Sequence, residues 1–88
     1  MIIIDVRTGP EFDGSHLEGA IQLDYYGEDF IDQLARLDRH KSYLIYCREG
    51  NRSGHVVEIM ESLGFTDVAD LHGGLQQWVD SHLPTTTT

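Results

Sequence analysis

The sequence predicts an α/β domain: a central parallel sheet of about four strands, flanked by helices on both faces. Two observations carry this. Short apolar runs recur at residues 2–6, 19–23, 42–47 and 67–71, and segments with apolar residues at helical spacing stand between them. In a chain of 88 residues, that alternation is the pattern of parallel strands joined by right-handed crossovers around one core.

The elements follow in order. "IIIDV" (residues 2–6) is continuous and β-branched, as in a strand buried on both faces. Gly9, Pro10 and Gly14 then mark turns, with room for one helical turn between them. "GAIQL" (19–23) is a second short strand. "EDFIDQLARLD" (28–38) places Phe30, Ile31, Leu34 and Leu37 at helical spacing behind an acidic start, the mark of an amphipathic helix. "SYLIYC" (42–47) is the third strand and the expected centre of the sheet. "SGHVVEIMESLGF" (53–65) is a helix burying Val56, Val57, Ile59, Met60 and Leu63, with Gly64 as its stop. "DVADL" (67–71) is the fourth strand. "HGGLQQWVDSHL" (72–83) is a Gly-Gly turn into a last helix that carries Leu75, Trp78 and Val79, with Trp78 read as core. "PTTTT" reads as a frayed end, so a single domain over residues 1–83 and a flexible tail over 84–88 are expected.

Composition narrows the function classes. Fifteen acidic and six basic residues leave a net charge of −9, which repels nucleic acid and anionic membranes, so neither is an expected partner. No apolar run approaches the roughly 20 residues of a membrane span. "MIIIDVR" lacks the basic start and apolar stretch of a signal peptide. The one cysteine, Cys47, cannot close an internal disulfide. A reducing, cytoplasmic compartment is the expectation, with the periplasm after signal removal as the alternative. The five histidines, His16, His40, His55, His72 and His82, are scattered and show no pairing with cysteine at ligand spacing, so no metal is expected.

The chemistry concentrates at Cys47. In open parallel sheets ligands bind at the carboxyl ends of strands, and Cys47 ends the strand expected at the centre of the sheet. A thiolate is the nucleophilic form, favoured near cations and helix N-termini. Arg48 and Arg52 lie within five residues, and a helix begins near Ser53. Gly50 and Asn51 tolerate left-handed backbone. A loop built this way turns successive N–H groups onto one point, a nest for an anion or for a thiolate. Glu49 opposes that field. A lone cysteine is otherwise most often a small buried hydrophobe; the arginines, glycine and helix start packed behind Cys47 set it apart. Asp5 and Arg7 end the first strand on the same side of the sheet, either as an ion pair bracing the site or as a solvated pair. Tyr25 and Tyr26 follow the second strand, where they either line the approach or pack on the surface. His72 is read as a turn residue and His16 as a structural one near the Gly19 turn.

"CREGNRSG" resembles the active-site loop of the rhodanese-like sulfurtransferases. "IIIDVRTGPEFDGSHLEGAIQL" resembles the family's first signature, and "LGFTDVADLHGGLQQW" its terminal one. The resemblance covers nearly the whole chain and implies a small rhodanese-like domain. It further implies that Cys47 is the catalytic nucleophile, taking a sulfane sulfur from a donor such as thiosulfate to form a persulfide. The implied substrate-binding loop is Arg48, Glu49, Gly50, Asn51, Arg52 and Ser53. Its N–H groups would cradle the persulfide, its arginines would attract an anionic donor, and Ser53 would donate to the sulfur. The acceptor would be cyanide, a thiol or a sulfur-accepting protein, with no metal or organic cofactor. A related group, the cell-cycle dual-specificity phosphatases, uses Cys-x5-Arg; the shorter Cys47-x4-Arg52 spacing favours sulfur over phosphate. The alternative to an enzyme is a persulfide carrier or docking module. Family members usually carry a further strand and helix ahead of the Asp-Val-Arg segment, which here lies almost at the start.

Overall fold

A computed structural model describes residues 1–87 of the chain. The β-branched run at the start forms β1 (Ile2–Asp5), followed by α1 (Gly9–Gly14), β2 (Ile21–Gln22), α2 (Phe30–Ala35), β3 (Tyr43–Tyr46), α3 (Asn51–Ser62), β4 (Val68–Asp70) and α4 (Gly74–Asp80). The four strands form one sheet in the order β2-β1-β3-β4, and every pairing is parallel. Ile4 lies opposite Ile45, and Asp5 opposite Tyr46.

The period-2 alternation of strand side chains divides the core between two faces. Ile4, Val6, Tyr43, Ile45 and Cys47 meet Phe30 and Leu34 of α2, Val56 and Met60 of α3, and Phe65. Ile3 and Tyr46 meet Leu17, Leu75 and Trp78 on the other face. Helices therefore cover both faces, as the alternation predicts. The first cluster is the larger. Ile4, Leu34, Ile45, Val56 and Met60 are fully buried in it, each side chain contributing about 1.5–3 kcal/mol of transfer free energy.

Four expectations from the sequence are corrected. The helix read over 28–38 shortens to Phe30–Ala35. Phe30 and Leu34 form its single buried stripe, and Ile31, one position round the helix, faces solvent. α3 starts two residues earlier than Ser53, at Asn51. Trp78 is only half-buried and Val79 is exposed, because the second core is small and Leu75 fills it. Trp78 lies at the rim, where its indole N–H donates to Pro84 O at 2.8 Å. The segment read as a frayed tail is tied down over its described residues. Beyond the Pro84 contact, the backbones of His16 and Thr86 exchange two hydrogen bonds of 2.9 Å. Thr88 lies outside the described residues. Among the described residues, no helix is long and apolar enough to cross a membrane.

Candidate active site

β3 delivers Cys47 to the carboxyl end of the sheet, where it is 1% exposed. The chain then curls through Gly50, whose φ of 109° is left-handed, into the first turn of α3. Two contacts from α4 set the direction of this curl. Leu75 N–H donates to Cys47 O and Gln76 N–H to Arg48 O, both at 2.9 Å. With their carbonyls held toward α4, the peptides that follow turn their N–H groups onto the thiol. Gly50 N–H lies 3.1 Å from Cys47 Sγ, Ser53 N–H 3.4 Å and Ser53 Oγ 3.3 Å.

The Gly-Gly pair makes this approach possible. Gly74 has a φ of 63°, and a Cβ there would lie 2.5 Å from Arg48 O and 2.6 Å from Cys47 O. Only glycine combines that backbone conformation with that proximity.

Burial pushes the Cys47 thiol up, but hydrogen bonds from the Ser53 hydroxyl and from the N–H groups of Ser53, Gly50 and Glu49 bring it below its ordinary value. These hydrogen bonds are the main source of the effect, and Arg52, whose guanidinium is held up first by Glu11 and also by the charge of Cys47, adds to it electrostatically. Arg52 is forked onto Glu11, Nη1 to Oε1 at 3.0 Å and Nη2 to Oε2 at 3.1 Å, and its guanidinium lies 5.8 Å from the centre of the Tyr26 ring. Arg52 in turn holds the Glu11 carboxyl down at about 2, against burial and helped by the N–H and hydroxyl of Thr8. Arg48 and Glu49 are both exposed.

The opening beside Cys47 brings together Arg48, Glu49, Asn51 and Arg52 from the loop with Thr8, Glu11 and Tyr26 from across it. Tyr26 lines the opening. Tyr25 does not: its hydroxyl meets His55 Nδ1 at 2.5 Å and its ring packs against Phe30. Asp5 and Arg7 form a buried ion pair with side chains 0% and 5% exposed, which rules out the solvated alternative. Arg7 Nη2 also donates to Ser15 O at 2.5 Å, and Gln22 Nε2 donates to Arg7 O at 2.7 Å. The pair thus ties the α1–β2 segment to the sheet. Since Glu11 rides on α1, it reaches the Cys47 loop only through Arg52. His16 is buried, stacks on Phe12 at 3.7 Å and meets Phe12 O through Nδ1 at 2.8 Å, so its partner is α1 and not the Gly19 turn. His72 is exposed in the turn before α4.

Three residues of this site escape a reading from sequence. Thr8 and Glu11 stand at the spacing of a helix-capping pair, a signal for local structure only. Asp70 accepts a hydrogen bond from Ser53 Oγ at 2.5 Å, a contact that exists only once β4 has paired beside β3.

A sequence profile described as the rhodanese-like domain matches residues 1–81. The chain is 33% identical over 95 residues to an uncharacterized protein of Synechocystis, covering 100% of this chain and 48% of that one. It is 32% identical over 92 residues to "Thiosulfate sulfurtransferase 16, chloroplastic" of Arabidopsis thaliana, covering 93% and 77%. A crystal structure of a rhodanese-related protein from Thermoplasma volcanium matches with a TM-score of 0.89 at 28% identity, over 99% of this chain and 84% of that one. The chain spans about half the length of the Synechocystis relative, and 21% of a Mycobacterium tuberculosis relative named "Probable adenylyltransferase/sulfurtransferase MoeZ", to which it is 30% identical over 84 residues, 96% of this chain.

Proposed function

Since this chain belongs to the rhodanese-like domain family, we propose that it is a sulfurtransferase that carries sulfane sulfur as a persulfide on Cys47. The Cys47 thiolate attacks the outer sulfur of an anionic donor such as thiosulfate. The Sγ–S bond forms, the donor's S–S bond breaks, and its electron pair leaves with sulfite. An acceptor such as cyanide or a thiolate then attacks the outer sulfur of the persulfide, and the Sγ–S electron pair returns to Cys47. Splitting the transfer in two is the advantage of covalent catalysis.

The convergence of the Gly50 N–H, the Ser53 N–H and the Ser53 hydroxyl on Cys47 Sγ carries this reading. These donors stabilise negative charge on the Cys47 thiolate, and the two backbone N–H groups remain to support the charge of a persulfide that projects into the same cradle. Arg48, Asn51 and Arg52 line the opening beside Cys47 and would meet the donor there, with Glu49 opposing its charge. The four-residue gap between Cys47 and Arg52 supports sulfur over phosphate. Likeness to one part of a larger protein whose name joins adenylyltransferase to sulfurtransferase supports a protein acceptor beside small thiols.

Intact mass after incubation with thiosulfate tests the proposal. The native chain gains one sulfur atom, the Cys47→Ser variant gains none, and cyanide removes the sulfur as thiocyanate. A Cys47→Ser variant that still transferred sulfur, or a native chain that took none from any sulfane donor, would overturn it.

A further inference from the structure

Ser53 is fully buried, and its hydroxyl has one proton and two neighbours that can accept it. Cys47 Sγ lies 3.3 Å from Oγ, and Asp70 Oδ1 lies 2.5 Å from it. An ionised carboxylate only accepts hydrogen bonds, whereas a thiol both donates and accepts. While Cys47 is a thiol, all partners are satisfied at once: Ser53 donates to Asp70, and the S–H donates to Ser53 Oγ. Once Cys47 is a thiolate, sulfur and carboxylate both need the same proton. Either Ser53 turns from Asp70 to Sγ, or the thiolate faces an oxygen lone pair with only backbone N–H groups to support it.

We propose that Asp70 is a positioning residue that sets the protonation of Cys47 by competing for the single proton of the Ser53 hydroxyl. The other charged groups around the thiol do not duplicate this role. Arg52 and Glu11 hold each other across the opening, and Arg48 and Glu49 stand exposed at the mouth, with the Tyr26 hydroxyl beside them. Asp70 acts from β4, through Ser53, on a sulfur that it does not touch.

A consequence for turnover rests on the sulfurtransferase reading. In the persulfide, Sγ is bonded to a second sulfur and has lost its charge, so it no longer needs the Ser53 proton. Asp70 then keeps that proton without competition. Asp70 therefore disfavours the empty thiolate relative to the loaded enzyme, which keeps the thiolate basic and a good nucleophile.

The test needs no sulfur donor, so it stands or falls apart from the transfer chemistry. Alkylation of the free protein by iodoacetamide is followed by intact mass as a function of pH. Cys47 is the only cysteine, so the signal belongs to one site. Asp70→Asn supplies an amide that accepts less strongly, and Asp70→Ala removes the acceptor. Asp70 is exposed, so neither change disturbs the core. Both variants move the midpoint of the rate profile down by about half to one pH unit, the scale of one hydrogen bond to a charged group. In a Ser53→Ala background the same substitutions leave the midpoint in place. An unmoved midpoint with Ser53 present would overturn the proposal. So would a shift of the same size without Ser53, since Asp70 would then act as a distant charge.

Discussion

At the rim of the site the charges cancel: Arg52 is taken up by Glu11, and Arg48 stands next to Glu49 in the chain. Replacing Glu49 with Lys changes the rim by two charges without touching the cradle. The thiosulfate reaction is expected to speed up several-fold at low ionic strength and to lose most of that gain in high salt. Single-turnover rates at two salt concentrations check it; a slower variant would mean that Glu49 does not face the donor. The Glu11–Arg52 pair predicts a pH dependence. Folding lowers Glu11 from 4.5 to about 2, so its contribution is complete above 4.5 and disappears as pH falls toward 2. The pair is partly exposed, and screening limits that contribution to about 1 kcal/mol. Urea titrations should show the native chain ahead of Glu11→Gln at pH 6, with the gap closing between pH 4.5 and 2. A gap that persisted at pH 2 would place the effect of Glu11 in packing.

At the scale of elements, the junction between α4 and the Cys47 loop depends on two left-handed glycines that predict different failures. Gly50→Ala meets open space and carries only the left-handed backbone cost, about 1–2 kcal/mol. Gly74→Ala carries the same cost and also drives a methyl group into two backbone carbonyls, about 2–5 kcal/mol together. Thermal melts should rank Gly74→Ala below Gly50→Ala, with sulfur transfer falling at least tenfold in the former as the loop carbonyls are displaced. Equal melting temperatures would show that α4 can retreat without loss. The elements themselves were legible in the sequence because strands such as "YLIY" and helices such as Asn51–Ser62 each bury a continuous set of side chains. Periodicity cannot show which apolar position finds a partner: Ile31 and Val79 fit their helices and still face water at 49% and 45% exposure. The cysteine loop was legible because its cradle is local in sequence. The Asp70–Ser53 contact and the docking of Thr86 on His16 were not, since both join segments that only the tertiary fold brings together.

The whole molecule carries a net charge of −9 and offers an anionic donor a rim of no net charge. Long-range repulsion therefore outweighs local attraction, and the native rate with thiosulfate should rise between about 10 and 150 mM salt as screening sets in. A falling rate would show that Arg48 governs the encounter. Protein synthesis runs from the N-terminus, so β1 leaves the ribosome long before β3, although Ile2 must find Tyr43 and Asp5 must find Tyr46. Until then, its only strand partner is the two-residue β2, and Ile4 and Val6 lack the cover that α3 and Phe65 complete. Nascent chains stalled before β3 has emerged should be degraded by protease as readily as unfolded peptide, and chains stalled beyond α4 should resist. The segment from β1 to α2 is therefore the stretch of this domain most exposed to aggregation during synthesis.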